Sequence, residues 1–153
     1  MNSLKKDKIM LVSSQGGHWI QLKRLLPAFF DKELIFVSTF VNQPNLEVDN
    51  GIYFSVCDAS RWAKINLIRQ FLQVAIIVLK NKPDIIFSTG ASIGVWAIIV
   101  GKFIGAKTIW LDSIANSNEI SMSGKIVRKI VDVHLTQWEH LAGDKTKYIG
   151  TVL

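Results

Sequence analysis

One cysteine, three prolines and twelve acidic residues are the scarce components of this 153-residue chain. Cys57 alone cannot form an internal disulfide, which excludes the disulfide-stapled secreted class and fits a reducing compartment. It lies in an apolar run, where a lone thiol reads as a small core residue. No stretch supplies the ~18 to 20 consecutive apolar residues that cross a bilayer. The uncharged stretch Ser88 to Gly101 is interrupted by Gly90, Gly94 and Gly101. Met1 to Lys8 is polar and the apolar run after it is only Ile9 to Val12, so no secretory leader is expected. The histidines, His18, His134 and His140, are scattered and no CxxC occurs, so neither a metal site nor a cofactor is expected. A helix-turn-helix signature is absent, as is a strand with aromatics spaced for base stacking. Nucleic acid is therefore not expected as a partner.

What is present describes one folded domain over residues 1–153. Apolar residues make up 49% of the chain and charged residues 20%, enough to bury one core and too apolar for disorder. The formal net charge of +6 points to an anionic partner without choosing its kind. Strands are expected at Lys8 to Ser13, Glu33 to Phe40, Gly51 to Cys57, Asp84 to Ser88, Lys107 to Leu111 and Val133 to Trp138, with a last one at Lys147 to Val152. Helices are expected at His18 to Phe30, Asn66 to Lys80, Ser92 to Phe103 and Lys125 to Val131, with Pro27 kinking or ending the first and Gly105 capping the third. Val41 to Asn50 and Asp112 to Ser123 read as loops. The strands are rich in Ile, Val and Phe and barely alternate with polar residues, as parallel strands covered on both faces do. The pattern predicts an α/β fold: a single Rossmann-like, doubly wound, mainly parallel sheet. Ligands on such sheets sit at the carboxyl ends of the strands beside a topological switch point.

Two junctions carry the candidate chemistry. In "VSSQGGHWIQL" the first strand stops at Ser13-Ser14, and Gly16, Gly17 and His18 open a helix. Residues without Cβ permit a tight turn and close approach of a ligand. The first helical N–H groups and the positive end of the helix dipole favour an anion there. His18 at the mouth can donate a hydrogen bond or move a proton near neutral pH. The plainer alternative is a glycine turn with a capping histidine. The second junction, Thr89, Gly90, Ala91 and Ser92, repeats the arrangement after another strand and would face the first across a crevice; ordinary βα-turn chemistry is again the plainer alternative.

The helices are unusually apolar. Asn66, Arg69, Gln70 and Gln73 form one narrow polar stripe, but Val74 to Leu79 is apolar all round, and Ser92 to Val100 has no charged face. Between Ala59 and Lys82 the charges are Arg61, Lys64, Arg69, Lys80 and Lys82, all basic, with Trp62 among them. Basic residues, a tryptophan and surplus apolar helix surface suit a partner or an anionic membrane. The candidate surface is Trp62, Lys64, Arg69 and Trp96; a deep core helix with solvated lysines is the alternative.

With these residues in view, the chain resembles the acceptor-side half of GT-B glycosyltransferases, equivalent to the N-terminal domain of MurG. It is most similar to the stand-alone subunit of split enzymes. These are the membrane-recruiting subunit of the eukaryotic UDP-GlcNAc transferase acting on dolichol-linked oligosaccharide, and its bacterial exopolysaccharide (PssD-type) counterparts. The blocks that carry the resemblance, in order, are "SSQGGHWIQL", "KPDIIFSTGASIGV", "GAKTIWLDSIANSNEISMSGKIV", "DVHLTQWEHL" and "KYIGTVL".

The resemblance implies a glycosyltransferase subunit, inactive without a partner that binds the UDP-sugar. The heteromer would glycosylate a polyprenyl-diphosphate-linked acceptor in polysaccharide (exopolysaccharide or capsule) biosynthesis, at the cytoplasmic face of the plasma membrane. By matched position, Ser14, Gly16, Gly17, Thr89, Gly90, Ala91 and Ser92 would bind the acceptor diphosphate. His18 is the first candidate base. Many relatives have a glutamate where this chain has Leu111-Asp112-Ser113, so Asp112 is the second candidate and Glu119 a further acceptor-side residue. The eukaryotic subunits carry an N-terminal membrane anchor with no counterpart in this sequence, so attachment is expected to be peripheral. Two other classes remain: a non-catalytic scaffold that recruits the donor-binding partner, and a complete small nucleotide-binding enzyme. Against the latter, the first turn is not GxGxxG and no acidic residue ends the second strand.

Overall fold

The computed structural model describes residues 7–46, 51–60 and 62–152. Arg61 of the basic segment and residues 47–50 of the expected loop lie outside them. Among the described residues seven strands form one sheet: β1 (Lys8–Ser13), β2 (Glu33–Ser38), β3 (Gly51–Ser55), β4 (Ile85–Ser88), β5 (Lys107–Leu111), β6 (Val133–Thr136) and β7 (Lys147–Tyr148). Their order is β3-β2-β1-β4-β5-β6-β7 and every pairing is parallel. The chain steps outward from β1 to β3, returns to β4 on the other side of β1, and steps outward again. The switch point therefore lies between β1 and β4. The expected doubly wound α/β sheet is the observed one.

Strand residues divide between two cores, as the two-residue period requires. Met10, Val12, Ile35, Val37, Ile86 and Trp110 meet the helices α2 (Lys64–Asn81), α3 (Ala91–Phe103) and α4 (Met122–Val127) on one face. Ile9, Leu11, Leu34, Phe36, Phe87 and Leu111 meet α1 (Gly17–Leu25) and the 3-10 turn Leu26–Phe29 on the other. On that second face Trp19 fixes α1, with its ring 5.5 Å from Phe40 and 6.0 Å from Phe36.

Several boundaries differ from expectation. The first helix changes to 3-10 geometry at Leu26, where Pro27 enters. The fourth helix starts at Met122 rather than Lys125, because the Ser121 hydroxyl accepts from Gly124 N at 2.9 Å and caps it; it ends at Val127 rather than Val131. The last strand has two residues, not six. Gly105 does close α3: it adopts φ +77 and lets Ala106 N donate to Gly101 O at 3.0 Å.

The expected surplus of apolar helix surface is found on α2 and not on α3. α3 is apolar because it is buried, with Ile93, Val95, Ala97, Ile98 and Val100 all in the core between α2 and α4. α2 keeps Asn66 and Arg69 of its polar stripe exposed, half-buries Gln73 and turns Gln70 inward. Gln70 is fully buried, while Ile65, Ile68, Leu72, Ile76 and Leu79 are 52–82% exposed along one side.

Candidate functional site

The two glycine turns stand side by side at the switch point, because β1 and β4 are neighbours and both helices start at the same edge of the sheet. Gly16 takes φ +85, which a residue with Cβ rarely adopts, and Ile20 N donates to its carbonyl at 3.1 Å to begin α1. Gln15, Gly16 and Gly17 are exposed, and a Cβ on either glycine would meet nothing within 4 Å, so this turn faces open space. Ser14 is half-buried beside it.

His18 ties the turns together. Its Nδ1 lies 2.8 Å from the Thr89 carbonyl oxygen, and the Thr89 hydroxyl donates to the His18 carbonyl at 2.8 Å. A carbonyl only accepts, so Nδ1 carries the proton and Nε2 holds the lone pair. The ring lies directly over Gly90: a Cβ at that position would come 2.4 Å from His18 Cε1. Burial lowers the His18 pKa, opposed by the Thr89 carbonyl and, through space, by the charge of Asp112. The imidazole is thus kept neutral, with its basic nitrogen defined.

The second turn is strained and braced. Gly90 has φ +138, and Ala91, a non-glycine residue, has φ +67. Gly90 N donates to the Ser88 hydroxyl at 3.2 Å. The Ser92 hydroxyl lies 2.7 Å from Gln70 Oε1 and 3.3 Å from the Ala59 carbonyl. Gln70 Nε2 in turn donates to the Cys57 carbonyl at 2.8 Å. This explains why Gln70 is buried: it links α2 to the start of α3.

The remaining expected residues are placed less uniformly. Asp112 is buried at the end of β5. Its Oδ1 accepts from the Ser121 hydroxyl and from Trp110 Nε1 at 3.1 Å, and its Oδ2 from Ser121 N at 2.8 Å. These donors tie its carboxylate to the start of α4, and it reaches His18 only as a field. Glu119 is exposed and paired with Lys125, whose ammonium holds its carboxyl below the usual range; among the described residues no hydrogen bond joins it to either turn. Trp62, Lys64 and Arg69 are exposed, but Trp96 is half-buried against Phe71, 5.3 Å between rings. Among the described residues no cluster of three or more metal-ligating side chains occurs, and no helix is long and apolar enough to cross a membrane.

Sequence reasoning missed a buried amide network behind the first turn. Gln21 Nε2 donates to Ser113 Oγ at 3.0 Å and to the Gly17 carbonyl at 3.3 Å. Gln21 Oε1 accepts from Ile114 N at 3.2 Å and from Gln137 Nε2 at 2.6 Å. Gln137 also donates to the Asp112 carbonyl at 3.0 Å and accepts from Val152 N at 2.8 Å. The available signal was a glutamine between the apolar positions Trp19 and Leu22.

Comparison with known proteins gives a consistent result. A family model described as "Oligosaccharide biosynthesis protein Alg14 like" matches residues 53–152, which include the second turn but not the first. The chain is 36% identical over 77 residues to the UDP-N-acetylglucosamine transferase subunit alg14 of Schizosaccharomyces pombe, covering 46% of this chain and 37% of that protein. It is 34% identical over 94 residues to subunit ALG14 of Candida albicans, covering 56% and 43%. The matched segments thus span less than half the length of either relative. The fold is similar to that of Acinetobacter baumannii MurG, with TM-score 0.77 and 10% identity over 96% of this chain and 46% of that one.

Proposed function

The chain belongs to the Alg14-like family of oligosaccharide biosynthesis proteins, and from that premise we propose that it is the acceptor-side subunit of a two-polypeptide GT-B glycosyltransferase. Residues 1–153 act as one half of a cleft. A second polypeptide binds the UDP-sugar and supplies the facing wall. Together they glycosylate a polyprenyl-diphosphate-linked acceptor at the cytoplasmic membrane face, in polysaccharide biosynthesis of the PssD type. The names of the relatives as transferase subunits support the class, and the ordered sequence blocks support the split-enzyme reading.

The observation that carries the reading is His18, fixed across two glycine turns at the switch point with its lone-pair nitrogen defined. In the proposed reaction Nε2 takes the proton of the acceptor hydroxyl as that oxygen attacks the anomeric carbon of the sugar, whose bond to UDP breaks as UDP leaves with the electron pair on the donor-binding subunit. Exposed backbone at Gly16 and Gly17 receives the acceptor diphosphate at the start of α1, beside Ser14 and the Thr89–Ser92 turn. Asp112 holds the loop after β5 in place and favours the imidazolium formed during transfer. The exposed side of α2, flanked by Trp62, Lys64 and Arg69, lies on the anionic membrane surface.

Co-expression with the donor-binding subunit tests this. His18→Ala should abolish transfer while the complex still assembles on membranes. Unchanged transfer would make this chain a recruiting scaffold instead.

A further inference from the structure

A cavity of about 440 Å³ opens between α2, α3 and α4. Leu67, Val95 and Trp96 line it, and Met122 and Ile126, both more than half exposed, stand on α4 at its side. Its hydroxyls are those of Ser92 and Ser123, and the Ser92 hydroxyl is already engaged with Gln70 and the Ala59 carbonyl. Such a lining recognises an apolar body by shape and offers little for a polar one. Ser92 is also the residue at which the cavity reaches the second glycine turn, two positions from Gly90 under the His18 ring.

The three helices that form the walls carry no acidic residue. Their charges are Lys64, Arg69, Lys80, Lys102 and Lys125, of which Lys102 and Lys125 are paired with acids from outside the helices. An occupant with an anionic head suits that field; a neutral one gains nothing from it. The volume lies within the range of small-ligand pockets, far too small for a complete polyprenyl chain.

We propose that this cavity seats the isoprene units nearest the diphosphate of the lipid-linked acceptor, with the diphosphate at the glycine turns and the rest of the chain in the bilayer. The inference rests on the acceptor-side reading and adds a specific lipid subsite to it. The subsite orients the acceptor so that its sugar, at the other end of the diphosphate, points to His18.

Calorimetric titration of the full chain with geranylgeranyl diphosphate, geranyl diphosphate, inorganic pyrophosphate and palmitate tests it. Geranylgeranyl diphosphate should bind at least tenfold more tightly than geranyl diphosphate or pyrophosphate, and palmitate more weakly than either prenyl compound. Ser123→Trp on α4 and Ala59→Phe before α2 fill the cavity from half-buried lining positions. Each should weaken geranylgeranyl diphosphate at least tenfold and leave pyrophosphate unchanged, with melting confirming the fold. Unaltered prenyl binding in either folded variant, equal affinity for palmitate, or no gain over pyrophosphate would overturn the subsite. The acceptor-side reading fails on a different measurement, the transfer assay with His18→Ala.

Discussion

At the scale of single residues, His18 is defined by what its ring touches. Nδ1–H is committed to the Thr89 carbonyl and the ring covers Gly90. We expect His18→Ala to lower transfer by about 10²- to 10⁴-fold, the usual contribution of a positioned base, measured at saturating substrate. Because burial lowers its pKa, the neutral base persists to more acidic pH than a free imidazole allows. The acid limb of the pH–rate profile should therefore lie below 6.5. The same sign applies to stability. His18 and His134 both have pKa values lowered mainly by burial, so the unfolded chain binds their protons first. Their stabilisation is present above 6.5 and declines as pH falls through their folded values; melting between pH 7.5 and 5 should show it, with less decline in His134→Gln. Gly90→Ala places a methyl in the imidazole, and should cost about 1–3 kcal/mol in thermal denaturation and lower transfer. His18 and its glycines were legible in the sequence because adjacency in the chain signals a turn. Asp112 was also named in the sequence, but its bonding was not legible there: its donors are Trp110 and, nine residues away across a loop, Ser121.

At the scale of elements, α2 and α3 show how similar compositions reach different environments. Both read as over-apolar. α3 lies at the centre of its layer and buries nearly everything, while α2 lies beside it and leaves one side uncovered. Of the polar stripe on α2, Asn66 and Arg69 stay exposed, but tertiary contacts turn Gln70 inward to bond Ser92 and the Cys57 carbonyl. Gln70→Leu keeps the volume and removes both bonds; we expect about 1–3 kcal/mol of destabilisation in denaturant titrations. The double change Ile68→Glu and Leu72→Glu falls on the uncovered side. It should leave the melting temperature within a few degrees and abolish sedimentation with anionic vesicles, whereas retained sedimentation would assign that side to a protein partner.

At the scale of the whole molecule, parallel order decides where the chemistry lies. Turns that are 71 residues apart in sequence meet because β1 and β4 pair at the switch point. Behind them, Gln21 and Gln137 join α1, the loop after β5 and the backbone at Val152. On the proposed division of the cleft between two polypeptides, the chain alone should bind no UDP-sugar in calorimetry, and the complex should. Micromolar UDP binding by the isolated chain would count against the division of labour proposed above.

The sequence by itself determined the alternation of strands and helices, the buried character of the parallel strands and the placement of glycines before two helices. Those properties depend on periodicity and on local backbone freedom, which neighbouring residues set. Only the tertiary structure decided that the two turns share one histidine, that Asp112 holds the helix-capping Ser121 rather than standing free, and that α2 shows most of its isoleucines to the outside. Each of these depends on contacts between distant segments, and such contacts follow from strand order and helix packing, which no local pattern encodes.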